Sequence, residues 1–112
     1  MCSQNQLNEI LENIVLESKE IFGEKLNSVI LFGSYARGDY EEESDIDILI
    51  LADIPSEKLH EYREHIDSLC GELLLKYGVV ISAIEKDTET YLKYSNILPF
   101  YKSIEKEGVK IA

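Results

Sequence analysis

The chain has 112 residues, is 45% apolar and carries 22 acidic against 11 basic side chains, for a net charge of −11. That length and apolar content supply one core and leave no room for a second, so residues 1–112 read as a single domain. So acidic a surface is unsuited to neutralising a nucleic-acid backbone, so direct nucleic-acid binding is not expected and a basic protein partner is favoured.

From Gln6 to Phe22, the residues Leu7, Ile10, Leu11, Ile14, Ser18, Ile21 and Phe22 recur at helical spacing, with Ser3 as candidate cap and Gly23 as stop. The run Ser28-Val29-Ile30-Leu31-Phe32 is apolar and β-branched and reads as a buried strand. Gly33-Ser34 follows it. The glycine allows a sharp turn and close approach of phosphate to main-chain N–H groups, while the serine adds a hydroxyl and caps a short helix facing the anion. Gly38 stands five positions after Gly33, but Asp39-Tyr40 follow where a P-loop needs Lys and then Ser or Thr, so that reading fails. Arg37 offers a planar fork of donors to a triphosphate, or else pairs at the surface with the acidic run Glu41-Glu42-Glu43.

The next strand is Asp45-Ile46-Asp47-Ile48-Leu49-Ile50-Leu51. Side chains alternate along a strand, so Asp45 and Asp47 share one face and Ile46, Ile48 and Ile50 the other. Two carboxylates a pleat apart repel each other and lose hydration among apolar neighbours, and a divalent cation reverses that cost. Mg²⁺ is usually held by one or two carboxylates together with substrate phosphates.

Leu59, Tyr62, Ile66, Leu69, Cys70, Leu73 and Tyr77 predict a longer helix over Glu57 to Tyr77, opened by Pro55-Ser56 and closed by Gly78. A third strand is expected at Val79-Val80-Ile81-Ser82-Ala83-Ile84. Asp87-Thr88 should cap a short helix through Tyr94, Pro99 should begin another that runs to Gly108, and a last strand fits Val109 to Ile111. This alternation predicts a layered sheet carrying helices. With three central strands one sheet face is left incompletely covered, an opening for a homo-oligomer or a hetero-complex. Tyr91, Tyr94, Phe100 and Tyr101 cluster near the C-terminus, where packing of two short helices on the sheet outweighs an interface as the explanation. Cys2 and Cys70, and His60 and His65, lack metal-ligand spacing and are assigned no function. No apolar segment is long enough to cross a bilayer and the N-terminus has no basic stretch leading into an apolar one, so a cytoplasmic location is expected.

Phe32-Gly33-Ser34-Tyr35-Ala36-Arg37-Gly38-Asp39, followed by Ser44-Asp45-Ile46-Asp47-Ile48-Leu49-Ile50, resembles the minimal nucleotidyltransferase (MNT) family of the DNA polymerase β-like superfamily. The family signature is Gly-Ser, ten intervening residues and Asp-x-Asp, and the resemblance covers nearly the whole chain. It implies an α+β fold with alternating helices and strands, in which a small mixed β-sheet carries flanking helices. It assigns Gly33 and Ser34 to the triphosphate, with Arg37 the candidate cation beside them, and gives Asp45 and Asp47 the catalytic role of holding Mg²⁺ in a site that can take two metal ions. The implied chemistry is in-line attack of a hydroxyl on the α-phosphorus of a nucleotide, with ATP the expected donor of AMP and pyrophosphate the product released.

A third carboxylate normally completes such a site, and the expected third strand has none. Ser82 best matches that position, and Glu85, ahead of Asp87, is the nearest acid. The family also implies a partner, a HEPN-domain toxin that is neutralised, in some systems by AMP transfer to a tyrosine. Two functions therefore compete: an antitoxin enzyme that places AMP on its partner, favoured by the intact Asp-x-Asp, and a catalytically weak nucleotide-binding module that neutralises its partner by direct binding, favoured by the missing acid. A transferase acting on a small molecule would need an acceptor domain for which the chain has no room.

Overall fold

The computed structural model describes residues 3–112, so Cys2 lies outside the described residues. Helix α1 (Gln4–Phe22) begins at the expected cap: the Gln6 N–H donates to Ser3 Oγ at 3.2 Å and the Ser3 N–H donates to Gln6 Oε1 at 3.1 Å. A 3₁₀ turn over Gly23–Lys25 leads to β1 (Leu26–Phe32), then α2 (Gly33–Arg37) and β2 (Ile46–Ala52). The connection back to the sheet runs through α3 (Ser56–Leu59), a 3₁₀ turn at His60–Tyr62 and α4 (Arg63–Tyr77) to β3 (Ile81–Asp87). Helices α5 (Thr88–Tyr94) and α6 (Pro99–Glu107) follow, and β4 (Val109–Lys110) closes the sheet.

The strand order is β3-β2-β1-β4. Strand β1 is antiparallel to both β2 and β4, and β2 is parallel to β3, so the sheet is mixed and the fold is an α+β arrangement with flanking helices. Alternation along β2 divides the interior in two. Ile46, Ile48, Ile50 and Ala52 pack with Ile10 and Ile14 of α1 and Ile66, Leu69 and Leu73 of α4. Leu49 and Leu51 point the other way, against Tyr91, Tyr101 and Ile104 of α5 and α6. Each fully buried Ile or Leu here contributes about 1.5–3 kcal/mol over an exposed one. The second face is the thinner layer, and Leu92, Ile97, Leu98 and Phe100 on it remain exposed.

Three local expectations are corrected. The helix over Glu57 to Tyr77 is interrupted at His60–Tyr62, where Tyr62 lies on Phe22 with ring centroids 4.9 Å apart while Leu59 and Ile66 both stay buried. A 3₁₀ turn has 3.0 residues rather than 3.6, too small a change over three residues to disturb an apolar stripe. Strand β3 begins at Ile81 rather than Val79 and continues through Glu85-Lys86-Asp87, because its pairing with β2 extends to Ala52 opposite Asp87. Ser34 lies inside α2 rather than capping it; Phe32 holds the cap position and makes no side-chain cap bond. The caps of α5 and α6 are as expected, with Asp87 accepting from the Thr90 N–H at 3.0 Å and Pro99 in the first turn. No helix among the described residues is long and apolar enough to cross a membrane.

Candidate active site

Gly33 sits at the junction of β1 and α2 with φ +74°, a left-handed conformation that favours glycine. A Cβ built there would overlap Asp47 Oδ2, so the absence of a side chain is what lets the carboxylate lie against the turn. Asp47 stands opposite Phe32 of β1, the residue just before that turn. Asp45 precedes the first residue of β2 and is exposed, whereas Asp47 is half-buried. A small turn positions Asp45: the Glu41 N–H donates to Ser44 Oγ at 2.8 Å and the Ser44 N–H to the Glu41 carbonyl at 3.0 Å. The next residue, Ile46, is tied to the start of the third strand by its N–H, which donates at 3.0 Å to the carbonyl of Val80, the residue before β3.

Burial, and then the charge of Asp45, push the Asp47 carboxyl above its ordinary value, while Arg37 pulls it the other way. Gly33, Arg37, Asp45 and Asp47 are thus brought together, with Ser34 next to Gly33 in α2. Arg37 is not paired with the acidic run at 41–43. Its Nε donates to Asp39 at 3.1 Å and its guanidinium reaches Glu107 of α6 at 3.4 Å, contacts that hold its pKa above the usual arginine value. Glu107 has no sequence signal linking it to this site, because it meets Arg37 across 70 positions.

The third strand places its two candidates apart. Ser82 lies directly beside Asp47 in the parallel register, so the two share a sheet face. Glu85 lies beside Ile50, on the opposite face, where Arg63 donates to it at 2.7 Å and also to the Ala83 carbonyl at 2.8 Å. The strand neither bends nor shifts to carry Glu85 round. Among the described residues no group of three or more His, Cys, Asp and Glu side chains converges on one point, and the candidate oxygen donors on this face are the Asp45 and Asp47 carboxylates, with Ser82 in register beside Asp47. Two hard carboxylate oxygen donors, one already disfavoured as an anion by burial and by its neighbour, suit a hard divalent cation that completes its shell with water and phosphate. His60 and His65 are exposed, and Cys70 is a half-buried free thiol whose pKa burial raises.

The family model for the nucleotidyltransferase domain matches residues 11–111. A Methanocaldococcus jannaschii protein named as a protein adenylyltransferase is 43% identical over 98 residues, covering 88% of this chain and 90% of the relative. The protein adenylyltransferase MntA of Thermococcus cleftensis is 37% identical over 73 residues, covering 63% of this chain and 72% of that one. Among solved structures, one named as a nucleotidyltransferase from Sulfolobus solfataricus superposes with a TM-score of 0.57 at 21% identity, over 95% of this chain and 82% of the other. A toxin-antitoxin structure with AMP-PNP superposes with a TM-score of 0.56 at 19% identity, over 90% of this chain and 72% of its counterpart. The two structures speak for the fold, and the sequence matches go further: this chain is a nucleotidyltransferase and belongs to the minimal nucleotidyltransferase family of the polymerase β-like superfamily.

Proposed function

We propose that the chain transfers AMP from ATP, with Mg²⁺, to a tyrosine hydroxyl of a HEPN-domain toxin and so acts as its antitoxin. The observation that carries this reading is the seating of Asp47 against the side-chain-free turn at Gly33, with Asp45 close enough to perturb it. The names of the relatives support protein adenylylation, and the toxin-antitoxin neighbour with AMP-PNP supports the class of partner and nucleotide. In this reading Asp45 and Asp47 hold the cation, while the backbone at Gly33, the Ser34 hydroxyl and Arg37 receive the triphosphate. Arg37 must then exchange Glu107 for phosphate. When bound, Mg²⁺ supplies charge neutralisation along the triphosphate. The tyrosine oxygen forms a bond to the α-phosphorus, the bond to the bridging oxygen of pyrophosphate breaks, and the hydroxyl proton passes to solvent. Positioning of the two reactants and electrostatic stabilisation provide the rate.

The neutral Ser82 beside Asp47 favours a second reading, in which the chain binds nucleotide but neutralises its partner by occlusion. One experiment separates them. Transfer of α-labelled ATP to proteins of the source cell, with Mg²⁺, is measured for the wild type and for Asp45→Asn/Asp47→Asn. A labelled protein band that falls by about a hundredfold or more in the variant is the expected result. Label that survives the double substitution sinks the transferase assignment, and nucleotide binding with no label in either protein leaves the occlusion reading standing.

A further inference from the structure

Of the aromatic side chains among the described residues, Phe100 alone is exposed, at 48%. Single exposed apolar residues are ordinary, but this ring is held in place. It forms a T-shaped pair with Phe32, centroids 5.6 Å apart and planes at 85°, and lies 5.9 Å from the ring of Tyr101, itself buried against the sheet. One of its sides borders a cavity of about 200 Å³ that also touches Gly33 and Arg37 and is edged by Ser103 and Glu107. The floor is Phe32, the residue opposite Asp47. The cavity therefore joins the turn at Gly33 to a packed, half-exposed aromatic ring with polar groups beside it.

A ligand whose polyphosphate lies at Gly33, Arg37 and the two aspartates has its uncharged end left to place. The cavity suits such an end, because away from Gly33 and Arg37 its walls are the apolar Phe32, Phe100 and Ile104 with Ser103 and Glu107 between them. We infer that Phe100 is the stacking platform for the base of the bound nucleotide, held in orientation by Phe32 and Tyr101, with Ser103 and Glu107 along the rim of the base. The inference rests on the nucleotidyl-transfer reading of the site and adds the residue that tells a nucleotide from a bare polyphosphate. Every base has a π-face, so Phe100 provides affinity for the nucleoside half as such, and choice among bases falls to the polar groups beside it.

The test is binding rather than turnover. ATP and inorganic tripolyphosphate, each with Mg²⁺, are titrated calorimetrically into the wild type and into Phe100→Ala. Loss of one base–aromatic stack should weaken ATP binding about fivefold or more while leaving tripolyphosphate affinity unchanged. The chain contains no tryptophan, so Phe100→Trp adds a single fluorescent reporter, which ATP should quench and tripolyphosphate should not. Unchanged ATP affinity in Phe100→Ala, equal weakening of both ligands, or a reporter blind to ATP overturns the stacking role. A wild type that binds tripolyphosphate as tightly as ATP does the same. A wild type that binds neither removes the nucleotide reading of the whole site along with it.

Discussion

Asp47 holds its proton more tightly in the folded protein than in the unfolded chain, because burial and then Asp45 disfavour its anion there. The folded state thus binds more protons than the unfolded one between the ordinary aspartate value of 3.8 and the raised one, and stability falls as pH rises through that window. At neutral pH the full cost is present. In a chelator, Asp47→Asn should raise the melting temperature by a few degrees at pH 7, with the gap from wild type closing as the pH falls below about 4. Calorimetric scans at the two pH values check this, and equal melting points at pH 7 would discard the repulsion account. The pair was legible in the sequence from the alternation of Asp45 and Asp47 with apolar residues, although only Asp47 belongs to β2 and Asp45 stands just before it. So was the need for glycine at the preceding turn, although the reason the structure gives is the approach of Asp47 Oδ2. The contacts of Arg37 with Glu107 and of Phe32 with Phe100 were not legible, since each joins segments that no local pattern relates.

Elements that announce themselves at their ends were read well. Ser3 with Gln6, Asp87 with Thr90 and Pro99 set the starts of α1, α5 and α6 through bonds spanning three residues or through a fixed backbone angle, both of which are local physics. The break at His60–Tyr62 and the true extent of β3 depend on Tyr62 meeting Phe22 and on Arg63 bonding Glu85, which only the assembled fold supplies. Helix α1 also contains a residue at odds with its surroundings. Ser18 lies in the apolar stripe, is fully buried, and its hydroxyl has no hydrogen-bond partner. Replacing it with alanine removes a desolvated polar group and introduces a better helix former, so Ser18→Ala should stabilise the protein by about 1 kcal/mol. Urea unfolding gives the value directly, and a loss of stability would show that the volume of the hydroxyl matters more than its unmet bond.

At the scale of the whole molecule the two layers are unequal. The cluster on the α1 and α4 side is extensive, whereas five buried residues make up the cluster under α5 and α6. Six of the seven residues of β2 are buried, Asp47 being the half-buried one, while α6 buries Tyr101 and Ile104 alone and both residues of β4 are exposed. Protection against native-state hydrogen exchange should therefore be graded, with amides of α6 and β4 opening at a free energy below that of β2. Uniform protection across these segments would contradict the division into two unequal layers.

Strand β4 reaches its place by pairing Lys110 with Ile30, a contact between segments far apart in the chain. Closing so long a loop costs entropy before any contact rewards it, and in return the two residues of β4 pair and Ile111 and Ala112 bond to the backbone of Val29. The pairing of β1 with β2, which sets Asp47 beside the turn at Gly33, closes only the 33–45 connection, whereas seating β4 and α6 closes a far longer one. Opening of α6 alone would therefore remove the Phe100 wall of the cavity while leaving Asp47 in register with Phe32.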